Sequence, residues 1–363
     1  MDRRHFLKLS GAAAATSALP WQEALAATTT GDWRSYEITT RVAILKPEGV
    51  SRAWIPLPMT HDTEWQRSIG STWSGNAARA QILRDGKYGA SMLYAEWTPG
   101  TAQPVIEVAS AFQTRDRQVD PTKAVAGAER LSADELAFYT AATELIPTDG
   151  IVRDTARDIV KGARGNVDKA RLIYEWVVEN TFRDPETRGC GWGDIKSMLE
   201  TRNFGGKCGD LNAMFVGLSR SVGIPARDIY GLRVAPSVHG YKSLGVGAVN
   251  VSKAQHCRAE FFAQGVGWVP VDPADVRKVV LEEPPTNLKI DDPKVVAARK
   301  RLFGGWEMNW VAYNMAHDVS LPHSSGPKIP YLMYINAETG AGRLDQLEPD
   351  GVKYEIRTNG VKA

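Results

Sequence analysis

Residues 205–227, GGKCGDLNAMFVGLSRSVGIPAR, constrain the fold more than any other stretch of this 363-residue chain. Leu211, Met214, Phe215, Leu218 and Val222 stand at i, i+3, i+4, i+7 and i+11, the spacing of one apolar helix face. A face of that kind has to be buried against another layer. Gly205 and Gly206 allow a tight turn into the helix, and Gly223-Ile224-Pro225 stops it and turns the chain toward a strand. The helix start is thereby pinned near Cys208, with Gly209 leaving space beside the sulfur. A sulfur at that place feels the positive end of the helix dipole, which favours the thiolate. First-turn N–H groups can also donate to an oxyanion.

The rest of the chain divides by hydrophobic period. Tyr36, Ile38, Thr40, Val42 and Ile44 alternate with polar neighbours, and YGASMLYAEW (88–97) and PVIEVASAF (104–112) continue in short runs. This predicts a small β-sandwich-like domain over 33–119. After Asp120 the period becomes helical. Ser132 with Glu135 makes a capping box before LAFYTAATEL, and 151–161 reads as a helix. Asn166 caps a third, whose stripe is Ala170, Ile173, Tyr174 and Val177. From about Asp228 to Val280 the chain returns to strands. The order predicts an α+β catalytic domain over 120–281, followed by an extension, 282–363, packed on it.

The N-terminus reads as a signal. Arg3 and Arg4 precede Phe6, Leu7 and Lys8, an apolar stretch runs from Leu9 to Leu19, and Ala24-Leu25-Ala26 offers a small-residue cleavage site. Residues 1–26 are therefore expected to be a twin-arginine export signal. No other run approaches the ~18 apolar residues of a membrane span. The expectation is an exported protein, periplasmic or otherwise, met by the twin-arginine export machinery and not inserted in the membrane after signal removal. A formal net charge of +2 argues against nucleic acid or an anionic membrane surface as the partner. Cysteines are Cys190, Cys208 and Cys257. If Cys208 stays free, Cys190–Cys257 is the one bridge left, and folding in a reducing cytoplasm before export disfavours it. The spacings of a structural zinc site are absent from the sequence.

Two segments supply what a thiol nucleophile needs: His256 in AQHCRAEFF and Asp272 in GWVPVDP. If 256–263 and 267–272 form a hairpin in which Ala263 pairs with Gly267, Asp272 sits opposite Arg258 and His256 is its diagonal neighbour. Both then face one side of the sheet, whereas a one-residue slip would separate them. The same alternation points Cys257 to the other side. GVGAVN (245–250) has no helix after it and is not read as a phosphate loop. His239, His317 and His323 read as surface or loop residues, and Asp210 and Arg227 as helix-end and salt-bridge residues.

GGKCGDLNAMFVGLSRSVGIPAR and HCRAEFFAQGVGWVPVDPAD together resemble the two motif segments of the transglutaminase-like superfamily. The first matches a Gly-x-Cys that opens a helix ending in Gly-Ile-Pro-Ala-Arg. The second matches a His followed by Glu and later by Gly-Trp-x-Pro-x-Asp-Pro. The resemblance covers roughly 150–275 and implies a papain-like core, no cofactor or metal, and a Cys-His-Asp triad. In it Cys208 is the nucleophile, His256 the base and later the acid, and Asp272 the orienter. Trp192, seven residues before Leu199 as the oxyanion Trp of animal transglutaminases is before a comparable Leu, is the candidate second oxyanion donor, its alternative being a packing Trp in a Gly-rich loop. Two positions depart from the pattern. Arg258 replaces a Trp often found two residues after the His, and Arg183 replaces an aromatic residue before Asp-Pro. Both bear on specificity. The expected activity is hydrolysis of a peptide or peptide-like amide through a thioester. Transglutamination with an amine acceptor and a catalytically silent binding module are the alternatives.

Overall fold

The computed structural model describes residues 32–361, so the export signal lies outside the described residues. Strands β1 (Arg34–Ile44), β2 (Ser51–Pro56), β3 (Gln66–Gly75), β4 (Arg79–Arg84), β5 (Ser91–Trp97) and β6 (Val105–Thr114) come first. Seven helices follow among the described residues, beginning with α1 (Ala133–Thr140), α2 (Gly150–Ile159), α3 (Asn166–Asn180), α4 (Ile195–Thr201) and α5 (Cys208–Ser221). Three strands, β7 (Ala226–Arg233), β8 (Gln255–Ala263) and β9 (Gly267–Val271), lead into α6 (Pro273–Glu282) and α7 (Pro293–Arg301). The chain ends in β10 (Trp310–Asn314), β11 (Asn336–Thr339), β12 (Gly342–Leu344) and β13 (Val352–Thr358).

Helix α5 is the axle of the catalytic half. Nearly every one of its residues is buried, well beyond the predicted stripe, because α2, α3, α6 and the sheet of β7 and β8 enclose it. That sheet runs in the order β9-β8-β7-β10, all antiparallel. The β8–β9 hairpin has the predicted register, with Ala263 opposite Gly267 and Ala259 opposite Val271. Ser132 and Glu135 form the predicted capping box on α1. Elsewhere the boundaries move. Gly165 rather than Asn166 is the cap of α3, and the strands end at Val271, after which 273–282 is helical. Pro273 explains this: its fixed φ and missing N–H suit the first turn of a helix, and Asp272 caps it.

The N-terminal strands build two sheets, ordered β13-β1-β6-β3 and β12-β11-β2-β5-β4. Each therefore takes a strand from the C-terminal tail: β13 pairs with β1, and β11 pairs with β2. The tail is thus more than an extension laid on the catalytic core. It closes edges that β1 and β2 would otherwise expose, and β10 does the same for β7. Leu232, Val311 and Tyr313 of the catalytic sheet share one apolar cluster with Val42, Ile106 and Ile356 of the sandwich. The two halves are consequently braced against each other by one continuous core.

Ile356, opposite Thr40 and buried in that shared cluster, tests this arrangement. Ile356→Ala is expected to lower the unfolding free energy by about 2–5 kcal/mol in chemical denaturation. A loss below about 0.5 kcal/mol, typical of a surface site, would contradict a tail strand built into the core.

Candidate active site

Helix α5 begins at Cys208, and the thiol is 4% exposed. Its place is fixed by a short carboxylate clamp. Asp210 accepts from Lys207 N–H at 2.9 Å and from Gly193 N–H at 2.9 Å, tying the helix start to the Gly-rich loop 189–193. Gly191 sits over this carboxylate with φ 88°, where a Cβ would lie 1.8 Å from Asp210 Oδ2, so no other residue fits. Gly209 N–H donates to Cys190 C=O at 2.7 Å, which sets Cys190 beside the sulfur. Asp210 is thus a helix-end residue, and Arg227 pairs with the buried Glu260, both as their sequence positions suggested.

On the hairpin, His256 Nε2 lies 2.8 Å from Asp272 Oδ2 and 3.5 Å from Asp275 Oδ2. With Nε2 engaged by carboxylates, Nδ1 is the nitrogen left to interact with the Cys208 thiol. Cys257 also reaches Cys208, from the helix-facing side of β8. His256 meets the same sulfur because it is the second residue of the strand, near its open end. Asp272 divides its two oxygens: Oδ2 holds His256, and Oδ1 accepts from Asp275 N–H at 3.0 Å as the cap of α6. Asn212, one turn along α5 from Cys208, donates to Cys257 C=O at 2.8 Å and lies 3.4 Å from Asp272 Oδ1.

Two arginines balance the buried carboxylates. Arg233 bonds Asp275, and Arg258 Nε lies 3.6 Å from Asp272 Oδ2. Arg258 is fully buried over the rings of Trp310 and Trp306, and it donates to Glu307 C=O at 2.9 Å. It therefore cannot meet a substrate. The two tryptophans also hold the backbone of the site, since Trp310 Nε1 donates to His256 C=O at 2.9 Å and Trp306 Nε1 to Val271 C=O at 3.1 Å. Arg183 pairs with Glu282 at the end of α6.

These charges set the protonation of the pair. Burial and Arg233 press His256 toward its neutral form, but Asp275 and Asp272 outweigh them and raise the imidazole to about 9. Hydrogen bonds from Cys190 and Cys257, and then His256, draw Cys208 well below the usual thiol range in spite of burial. Cys190 moves up instead, by its bond to Cys208 and by burial, and Cys257 moves up chiefly through burial. Asp272 is raised by burial and by Asp275. Asp275 lies well below the usual carboxylate range, because Arg233 and His256 overcome its burial. The arrangement favours a thiolate beside an imidazolium. All three cysteines are free.

His256, Asp272 and Asp275 also lie close enough to share a cation. Arg233 and Arg258 already answer both carboxylates, so the donor set suits a protonated imidazole better than a metal ion. Trp192 lies apart from this cluster. The residue is 65% exposed, and its backbone N–H points to Asp210. The indole lines a groove of about 350 Å³ together with Cys190, Tyr331, Tyr334, Leu344 and Leu347. A larger cavity of about 1000 Å³, against Trp65, Tyr139, Arg227 and Trp268, touches none of Cys208, His256 and Asp272.

Sequence reasoning missed Asp275, Arg233 and the bracing tryptophans. Asp275 had a signal, because positions 272 and 275 meet at one face when a helix begins between them. His317 departs from its reading as a surface residue. It is buried between the rings of Tyr230 and Tyr88, 3.3 Å from Asp228. His239 lies 3.0 Å from Asp116, and the ring of His323 is 5.0 Å from that of Tyr94.

Comparison with known proteins agrees with this geometry. The family model described as the transglutaminase-like superfamily matches residues 153–273, and a twin-arginine translocation signal model matches residues 1–20. The chain is thus exported across the cytoplasmic membrane, and no helix among the described residues is long and apolar enough to cross one. An uncharacterized protein of Haemophilus influenzae Rd is 36% identical over 345 residues, covering 89% of this chain and 91% of that one. The crystal structure of a candidate cysteine protease from Cytophaga hutchinsonii superposes with a TM-score of 0.53 at 12% identity, over 91% of this chain and 99% of that one, and so shares the fold. With its Cys208 helix, its His256–Asp272 hairpin and this matched segment, the chain belongs to the transglutaminase-like superfamily.

Proposed function

We propose that this protein is a cysteine-dependent acyl-transfer enzyme that hydrolyses peptide or peptide-like amides through a thioester at Cys208. The observation that carries the reading is the buried His256–Asp272 pair, 2.8 Å apart, set against the start of the Cys208 helix, from which Asn212 lies 3.4 Å from Asp272. A buried thiol with no chemical task has no use for a charged imidazole at its side.

In this reading the substrate amide enters at the Cys190 end of the groove, in front of Cys208. The Cys208 thiolate attacks the carbonyl carbon. The oxyanion is met by the Cys208 N–H at the helix start; those of Gly209 and Asp210 already bond Cys190 and Lys207. In the same reading Trp192, which lines the groove, adds a donor once a substrate is seated. The imidazolium passes its proton to the leaving nitrogen and the C–N bond breaks, leaving a thioester. His256 then takes a proton from water, which attacks the thioester, and the C–S bond breaks to free the acid. Asp272 keeps the ring oriented throughout, and Asp275 adds the field that favours its charged form.

Three outcomes follow. Profiling a peptide library by mass spectrometry, Cys208→Ala should abolish turnover, and equal turnover by variant and wild type would refute the mechanism. His256→Asn should lower kcat by roughly 10²–10⁴, the range for loss of a positioned acid–base group. Asp275→Asn should move the alkaline limit of kcat/KM to lower pH. The wild-type limit follows His256 losing its proton near 9, and a carboxylate that favours the imidazolium is being removed. An alkaline limit that stays in place or rises in the folded variant would contradict the role given to Asp275.

A further inference from the structure

The acyl transfer above leaves two thiols of the site unused, Cys190 and Cys257, which pack with Cys208 in one buried cluster. Backbone geometry fixes Cys190 there. Its carbonyl accepts from Gly209, the residue after Cys208, at 2.7 Å, and its Sγ lies 3.5 Å from the carbonyl of Gln255, the residue before His256. Cys190 also lines the groove of about 350 Å³, whereas Cys208 lies behind it. A small reagent coming through the groove therefore meets Cys190 first, on the way to Cys208.

We propose that Cys208 and Cys190 form a peroxide-modification site, in which hydrogen peroxide oxidises Cys208 and Cys190 resolves the product as an intramolecular disulfide that silences the nucleophile. The inference rests on the thiolate reading of Cys208. Cys208 Sγ attacks one peroxide oxygen, an S–O bond forms, the O–O bond breaks and hydroxide leaves. The sulfur is oxidised by two electrons and the peroxide is reduced. Cys190 Sγ then attacks the sulfenic sulfur, the S–S bond forms, and the hydroxyl leaves with the Cys190 proton as water. A dithiol reductant reverses the state by exchange.

Cys190, rather than Cys257, is the resolving thiol because a disulfide demands a narrow backbone geometry that the chain must be able to adopt. Cys257 is held inside β8, paired with Tyr230 across the sheet and with its carbonyl bonded by Asn212. Cys190 sits in no strand, in the loop between Gly189 at φ 58° and Gly191 at φ 88°, so a bridge to it leaves the β8 ladder intact. The exported setting supplies no obstacle to a lasting disulfide.

Treating the mature protein with hydrogen peroxide, blocking free thiols, and mapping peptides by mass spectrometry tests the proposal. The expected result is loss of two hydrogens, a Cys190–Cys208 cross-linked peptide, an unchanged free Cys257, and amide turnover that falls on oxidation and returns with dithiothreitol. In Cys190→Ser the cross-link should vanish and Cys208 should advance to sulfinic acid, which dithiothreitol does not reverse. Cys190 left free in oxidised wild type, or a Cys208–Cys257 link in its place, would overturn the proposal. The bridge is read by mass and needs no turnover. A bridge without amide turnover would sink the hydrolase reading alone, and turnover without a bridge would sink this one alone.

Discussion

The hydrogen bond between His256 and Asp272 is the contact on which the site depends, and it exists only in one hairpin register. Pairing Ala263 with Gly267 brings the two side chains to one side of the β8–β9 hairpin. A slip of one residue would turn His256 toward the apolar layer under α5 and take the imidazole away from Asp272 and Asp275. The register is secured on both strands by the tail. Trp310 bonds the carbonyl of His256, and Trp306 bonds that of Val271. The site is thus held by residues well beyond the segment that carries its chemical groups.

Burying this much charge is costly, and the chain meets the cost by pairing every member. Asp275 faces Arg233, Asp272 faces His256 with Arg258 nearby, and Arg258 lies over two indole rings. Such an assembly contributes little net stability, because desolvation offsets most of the attraction. What it does is set protonation. The carboxylates hold the imidazole charged, and the thiols around Cys208 and the imidazolium hold the sulfur charged. The same low-dielectric surroundings that penalise a lone ion make this pair sensitive to each neighbour, so Asp275 acts on the chemistry without touching a substrate.

The helix at Cys208, its stop at Gly-Ile-Pro and the hairpin register were legible because each follows from local rules of period, turn and parity. Parity allowed His256 and Asp272 to share a face, but the roles given to Cys208, His256 and Asp272 came from the resemblance to the superfamily's two motifs. Other features rest on contacts between distant segments that no local pattern encodes. The tail strands β11 and β13 look like an appendage in sequence, and only the pairing with β2 and β1 reveals them as parts of the sandwich. Arg258 reads in sequence as a departure from the motif that bears on specificity, yet it is buried. The tryptophans that cover it come from residues 306 and 310, about fifty positions away. Asp275 was hidden by reading 273–280 as strand, where the helical spacing from Asp272 has no meaning.

The central claim is that Cys208 is a thiolate held by a charged His256. Thiolate absorbance near 240 nm, titrated with pH and differenced against Cys208→Ala, measures it directly. The account predicts a Cys208 signal already present at neutral pH and lost only well into the acid range, well below the ordinary free-thiol pKa of about 8.5. A signal that grows in only around or above that value would show an ordinary buried thiol and contradict the account.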